Sequence, residues 1–278
     1  MAIIPTTAPE GVSRPLGIAR PRLTTALALG GGIAVWIALL GPVITLFAHL
    51  SAHGISAAWS TPDALTPLLV SLEAGAVTLG ILVVCCTPLA WLLARNRLPF
   101  ARLFEAGLLA TLLLPPLVIG LLLVFMVGPS TPIGHLLSHL HLSATNTFAA
   151  LVIAEVYESA PYYVLGAQSA FAGIDPNLEQ QASLLGDRPY RVWKRVTLPL
   201  AAPGLAMSLA VAWARAMGAF GAVIIIAYHP TGLPLQIWTT FQETDLGVAL
   251  SFAFLLLVVA LPLPLAAYAW STRASRRT

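Results

Sequence analysis

Charged side chains are scarce: Asp, Glu, Lys and Arg make up only 9% of the 278 residues, against about a quarter in an ordinary soluble domain. That excludes a water-soluble globular chain. With 58% hydrophobic residues and a mean hydropathy of +0.86, the bilayer is the solvent. Cysteine is nearly absent too. Cys85 and Cys86 are adjacent and so point to different faces of a helix, which excludes a disulfide framework or a metal site and leaves them as small packing residues. No Gly-x-x-x-x-Gly-Lys-Ser/Thr run is present, so the chain cannot cradle a nucleotide by that motif. Nor does it bring a nucleophile and base, or a metal pair, to one depth, so no catalytic residue is assigned.

What fills the chain instead is a series of uncharged runs near or above the roughly 20 residues that cross a hydrocarbon core about 30 Å thick. Six are read, at about 23–48, 67–94, 104–127, 147–171, 204–228 and 247–270, with tails at 1–22 and 271–278 and one long loop at 172–203. The expected fold is all-α with six transmembrane helices. Pro42, Pro88, Pro115, Pro116, Pro161, Pro262 and Pro264 fall in or near these spans and are expected to kink them without breaking them.

Charge placement tests that count separately. Arg14, Arg20 and Arg22 precede span one, and Arg95, Arg97 and Arg102 lie between spans two and three. Arg188, Arg191, Lys194 and Arg195 lie between spans four and five, and Arg273, Arg276 and Arg277 follow span six. Thirteen of the fourteen basic residues thus share one side, while the three opposite loops hold none. The positive-inside rule then makes both termini cytoplasmic, and five or seven spans would scatter the charges. The net charge of +3 is spread over short cytoplasmic flanks, which argues against nucleic-acid binding. Three arginines before a run of about 25 apolar residues read as an uncleaved signal anchor.

The 172–203 loop carries its own helix punctuation. Asp175 can cap a helix with Pro176 at its first position, and Gly186 can end it. Asp187 and Pro189 can start a second short helix that must stop before Pro199. Such a helix pair between two spans moves both when a partner pushes on it. Its residues resemble the cytoplasmic loop signature of ABC importer permeases, Glu-Ala-Ala, three residues, Gly, nine residues, Ile, any residue, Leu-Pro. The aligned positions are Gln180, Gln181, Ala182, Gly186, Val196, Leu198 and Pro199, with every spacing kept. Gln180 and Gln181 depart from the signature, and Glu179 stands one position early.

The resemblance implies a type I importer permease of MetI-like architecture in a bacterial inner membrane, with the loop inserted into a groove on an ABC ATPase subunit that binds ATP and Mg. It also implies a second permease copy, as a homodimer around a central path, and an extracytoplasmic binding protein. Tyr190 and Trp193, three apart, are either aromatic anchors of the ATPase contact or anchors at the lipid headgroups.

Further stretches between Leu65 and Leu261 resemble the molybdate, tungstate and sulfate permeases: Ser71-Leu72, Thr87 to Arg95, Leu114 to Gly120, Ser159 to Tyr162 and Ala214 to Pro230. The ending Ala227-Tyr-His-Pro230 is most similar to the molybdate and tungstate branch. Ala219 stands where that family commonly carries Glu. The expected cargo is therefore a tetrahedral oxyanion, molybdate or tungstate ahead of sulfate or thiosulfate.

Arg215 is the one basic residue within a span, at a cost of about 2.5 to 3.5 kcal/mol on insertion scales. Counting ~1.5 Å per residue places it near the midplane, at a depth similar to Glu158. Either the two pair, or Arg215 faces the anion on a path that also includes Gly218, Phe220 and Gly221. Glu73 and Glu155 read as packing partners or cavity linings. Ala214, Gly218 and Ala222, four apart, form a small-residue stripe that suits close helix approach. Asp63, Glu243 and Asp245 are acidic outer-loop residues without a Lys or Arg nearby, so delivery by a binding protein suits an anion better than free capture. His135, His139 and His141 lack neighbouring Cys, Asp or Glu and read as solvated. An ion-coupled secondary transporter using Glu73, Glu155, Glu158 and Arg215 is the competing class, and it leaves the loop signature unexplained.

Overall fold

The computed structural model describes residues 22–51, 54–56, 65–139, 145–243 and 246–275. Arg14, Arg20, Arg276, Arg277, Asp63, His141 and Asp245 lie outside the described residues. Every regular element among those described is helical. The first unit is a 28-residue helix, α1 (Arg22–His49), which contains Pro42 without interruption; Thr45 Oγ1 donates to the Pro42 carbonyl at 2.8 Å.

The second unit begins with α2 (Thr66–Ile81) and α3 (Thr87–Ala94), followed by α4 (Ala101–Leu113), α5 (Pro116–Val127), α6 (Pro132–His139) and α7 (Phe148–Ala172). The long loop holds α8 (Pro176–Leu184) and α9 (Pro189–Val192). Then come α10 (Leu198–Met217), α11 (Val223–Ile226), α12 (Leu233–Glu243), α13 (Leu246–Ala260) and α14 (Pro262–Ser275).

At the centre of this unit is α7, capped by Thr147, whose hydroxyl accepts from the Ala150 N–H at 3.2 Å. Its buried positions include Ala150, Ala154, Glu158 and, further along, Tyr163, Ala167 and Phe171, spaced about one turn apart. It packs against α10, α3 and α2. Close approach is possible because the facing residues are small: a Cβ built on Gly204 of α10 falls 2.5 Å from Ala170 Cβ. Gly204→Val is therefore expected to destabilise the chain by about 1–3 kcal/mol through overpacking, measured as a lower unfolding temperature in detergent. Gly107→Ala, with open space around it, is the control and should change little.

Among the described residues four helical stretches are long and apolar enough to cross a membrane: Leu27–His49, Thr66–Ala94, Pro189–Met217 and Leu246–Arg273. The pair α4 and α5 makes five if counted as one broken span. The expected fourth span coincides with α7, whose 25 residues reach about 37 Å. Glu155 and Glu158 lower its hydropathy, and both are buried within the protein.

Prolines do more than kink. The third expected span bends by 118° between α4 and α5, where Leu114 and Pro115 are both extended, with ψ of 129° and 140°. Successive prolines withhold two N–H donors, and each pushes the residue before it out of helical backbone. At Pro88 and Pro199 the opposite happens. A π-helical turn precedes each proline, at Leu82–Cys86 and Trp193–Thr197, and Leu198 N donates to Trp193 O, five residues back. The wider turn makes room for the ring against the carbonyl four residues before it. The second loop helix consequently does not stop before Pro199; it runs on into span five.

Span five itself stops at Met217 and resumes as the four-residue α11, not as one helix over 204–228. The break takes Ala222 off the face of Ala214 and Gly218: those two are exposed and Ala222 is buried, so the small-residue stripe is not continuous. The loop before span six is also more ordered than expected. It contains α12, which is tied to α2 where the Leu233 N–H donates to Ser71 Oγ at 2.8 Å.

Candidate functional site

The 172–203 loop starts from a side-chain cap: Asp175 Oδ1 accepts from the Asn177 N–H at 2.9 Å, with Pro176 next, where no donor is needed. It turns at Gly186. That residue has φ +91°, its N–H bonds the Ser183 carbonyl and the Asp187 N–H bonds the Ala182 carbonyl, the paired arrangement that closes a helix on a left-handed glycine. The turn displays two leucines that sequence reasoning passed over. Leu184 and Leu185 are 87% and 90% exposed, at the tip of an otherwise polar segment.

Around them Gln180, Gln181, Gly186, Tyr190 and Pro199 are exposed, and Ala182, Val196 and Leu198 are half-buried. Tyr190 and Trp193 part company: Tyr190 projects outward, while Trp193 lines a groove of about 840 Å³ shared with Trp91, Asn96 and Gln180. Asp187 lies 3.9 Å from both Arg191 and Arg195, surface pairs that contribute little.

Glu179 faces inward. Its Oε1 lies 2.7 Å from Arg95 Nη2 and accepts from Thr197 Oγ1 at 2.7 Å. Arg95 Nη1 also reaches the Ile174 carbonyl at 3.3 Å. No spacing in the sequence announces this cluster, because Arg95 and Glu179 meet only when the ends of α3 and α7 come together.

A second cluster joins α7 to the break in span five. Arg215 Nη2 lies 2.7 Å from Glu158 Oε2, a charge contact without hydrogen-bond alignment, and Arg215 Nε has no acceptor. Glu158 Oε1 accepts from the Ala222 N–H at 3.3 Å. One carboxylate therefore holds both sides of the break. The Glu158 side chain has no exposed area and that of Arg215 is 29% exposed, 5.9 Å from the Tyr162 ring.

Gly218 ends α10, Gly221 lies against Pro116, where a Cβ would clash, and Phe220 stacks obliquely on Trp238 at 5.6 Å. Ala219, in the position where an acid was weighed, is buried in the apolar core. Of the other acids, Glu155 is buried and accepts from Thr78 Oγ1 at 2.9 Å, whereas Glu73 is exposed. His135 and His139 are exposed on α6.

Known proteins share both sequence and shape with this chain. A probable molybdenum ABC transporter permease of Haloferax volcanii is 36% identical over 199 residues, covering 71% of this chain and 72% of that relative. The molybdenum transport system permease ModB of Mycobacterium bovis is 34% identical over 229 residues, 78% of this chain and 87% of its own. The sulfate transport system permease CysT of Salmonella typhimurium is 28% identical, covering 82% and 85%. In shape, a chain of a bacterial ABC transporter involved in the import of alginate matches 92% of this chain and 97% of itself with a TM-score of 0.71, at 19% identity, and so shows the fold alone. Residues 86–278 match the family described as binding-protein-dependent transport system inner membrane component, and the chain belongs to that family of multi-pass membrane transport proteins.

Proposed function

We propose that this protein is the permease subunit of an ATP-driven importer whose cargo is molybdate. The observation that carries the reading is the gradient among relatives: those named for molybdenum are 34–37% identical, those named for sulfate 28%. Six spans with both termini cytoplasmic are proposed, α7 serving as the fourth. The charge distribution supports this orientation.

The subunit performs no covalent chemistry. Two partner ATPases bind ATP and Mg, dock on the Leu184-Leu185-Gly186 tip and, as they close, shift the spans between outward-open and inward-open states. A second copy of the chain completes the path, and an extracytoplasmic binding protein delivers the anion. The partial exposure of Arg215 supports a place for Gly218, Phe220 and Gly221 beside that path, with Glu158 fixing the arginine.

Reconstitution with its ATPase and binding protein tests the reading. Uptake of labelled molybdate should require ATP and persist when ion gradients are collapsed. Uptake that follows a proton or sodium gradient without ATP would transfer the chain to the secondary transporters. Competition by sulfate ahead of molybdate and tungstate would move it to the sulfate branch.

A further inference from the structure

We infer that Arg95 and Glu179 are positioning residues that make the inner end of span two part of the coupling element, so that ATPase closure moves span two together with spans four and five. The inference rests on the proposed role of the 172–203 loop and goes beyond it. A loop between spans four and five has a covalent connection to those two only.

The geometry supplies the third connection. Arg95 follows the last turn of α3, Glu179 lies in α8, Ile174 follows α7, and Thr197 immediately precedes α10. The guanidinium reaches the Glu179 carboxylate at 2.7 Å and the Ile174 carbonyl at 3.3 Å, and the same carboxylate oxygen accepts from Thr197 at 2.7 Å. Four residues thus knot the ends of three spans. The side chains of Arg95 and Glu179 are only 8% and 16% exposed, so the pair is shielded from water, and charge-assisted bonds in such surroundings are short and directional.

The surroundings show why this knot matters. The groove of about 840 Å³ is lined by Trp91, Arg95 and Asn96 on one side and by Pro176, Gln180 and Ser183 on the other. Broad packing of α8 on α3 would make an ion pair redundant as a link, but an open groove does not transmit a push. Glu179 also has its bonding oxygen turned away from the exposed tip, which leaves Leu184, Leu185 and Gln180 to meet the ATPase. Transmission and docking are then separate jobs in one short helix.

The test uses the whole importer, permease with ATPase and binding protein, purified and reconstituted in liposomes. Three quantities are read for each variant: ATPase retained per permease, ATP hydrolysed, and molybdate imported per ATP. R95Q and E179Q are expected to retain the ATPase while import per ATP falls by about tenfold, within the usual range of coupling between sites. The exchanged pair R95E/E179R should recover most of the loss.

Unchanged import per ATP in both single variants overturns the inference. So does loss of the ATPase from E179Q but not from R95Q, which would make Glu179 a direct docking contact. Should the neutral variants fail to assemble, R95K and T197V decide, each weakening the knot without removing its charges. A severalfold drop is expected in both, and wild-type ratios in both overturn the link. If the unmodified permease itself retains no ATPase, the failure belongs to the proposed function.

Discussion

Replacing Leu184 and Leu185 together with aspartate is expected to release the ATPase from the importer, weakening its binding by about 4 kcal/mol or more, roughly a thousandfold, if each leucine acts as a hot spot of about 2 kcal/mol. Both side chains are almost wholly exposed in the isolated chain, yet they flank the turn at Gly186, outside every stretch apolar enough to cross a membrane. Lipid therefore does not account for them. Adjacent exposed leucines on a rigid, capped turn mark a contact surface, whose apolar area contributes once a partner covers it. Aspartate there cannot be buried without a counter-charge, so the double variant removes the gain and adds a penalty.

The measurement is titration of the purified ATPase against permease in nanodiscs, with co-purification as a second readout. The folded chain should be unaffected, because neither leucine touches the core in the absence of a partner. Gln180→Ala, on the same helix, should cost far less. Binding that survives L184D/L185D undiminished would place the docking surface elsewhere.

The loop was the most legible part of the sequence, since its landmarks are local. Asp175 and Pro176 start a helix and Gly186 ends it for reasons confined to a few residues of backbone, and the structure puts the cap and the turn there. What followed Pro189 was misread for a physical reason. Proline was taken to end the helix before Pro199, but a π turn absorbs the clash and carries the helix into the span. The same device operates at Pro88. Pro115 and Pro116 instead produce a 118° bend, because two prolines in a row deny both the donor and the helical backbone that a single wider turn can rescue.

Hydropathy located the apolar runs well and the breaks poorly. Gly218, Ala219 and Gly221 read as small residues of a continuous helix, although they form the gap between α10 and α11. That gap depends on tertiary partners: Pro116 lies against Gly221 and Glu158 accepts from Ala222. Depth counting brought Arg215 and Glu158 to one level, which is as far as a period of 1.5 Å per residue goes. It says nothing of the backbone N–H on the other side of the carboxylate, nor that Arg95 would find Glu179.

That additional N–H decides what mutation of the buried pair should do. Arg215→Met is expected to destabilise the permease by about 3–5 kcal/mol, the cost of leaving one member of a buried pair uncompensated. Glu158→Gln should cost less, about 1–3 kcal/mol. The asymmetry follows from exposure. Glu158 has no exposed side-chain area, whereas Arg215 is 29% exposed and lies beside the Tyr162 ring. A widowed guanidinium can turn to the ring or to water; a widowed carboxylate keeps only the Ala222 N–H. Glutamine at 158 also retains an oxygen for that donor, so the two halves of span five stay joined.

Unfolding temperatures in detergent, with yields of assembled importer, provide the measurement. The double variant E158Q/R215M should be more stable than R215M alone, since no unpaired charge remains. Exchanging the charges should not rescue: arginine at 158 would aim its N–H groups at the Ala222 N–H, donor against donor. Equal losses in R215M and E158Q, or full rescue by E158R/R215E, would show that the bond across the break does not matter and that charge pairing alone holds span five to span four.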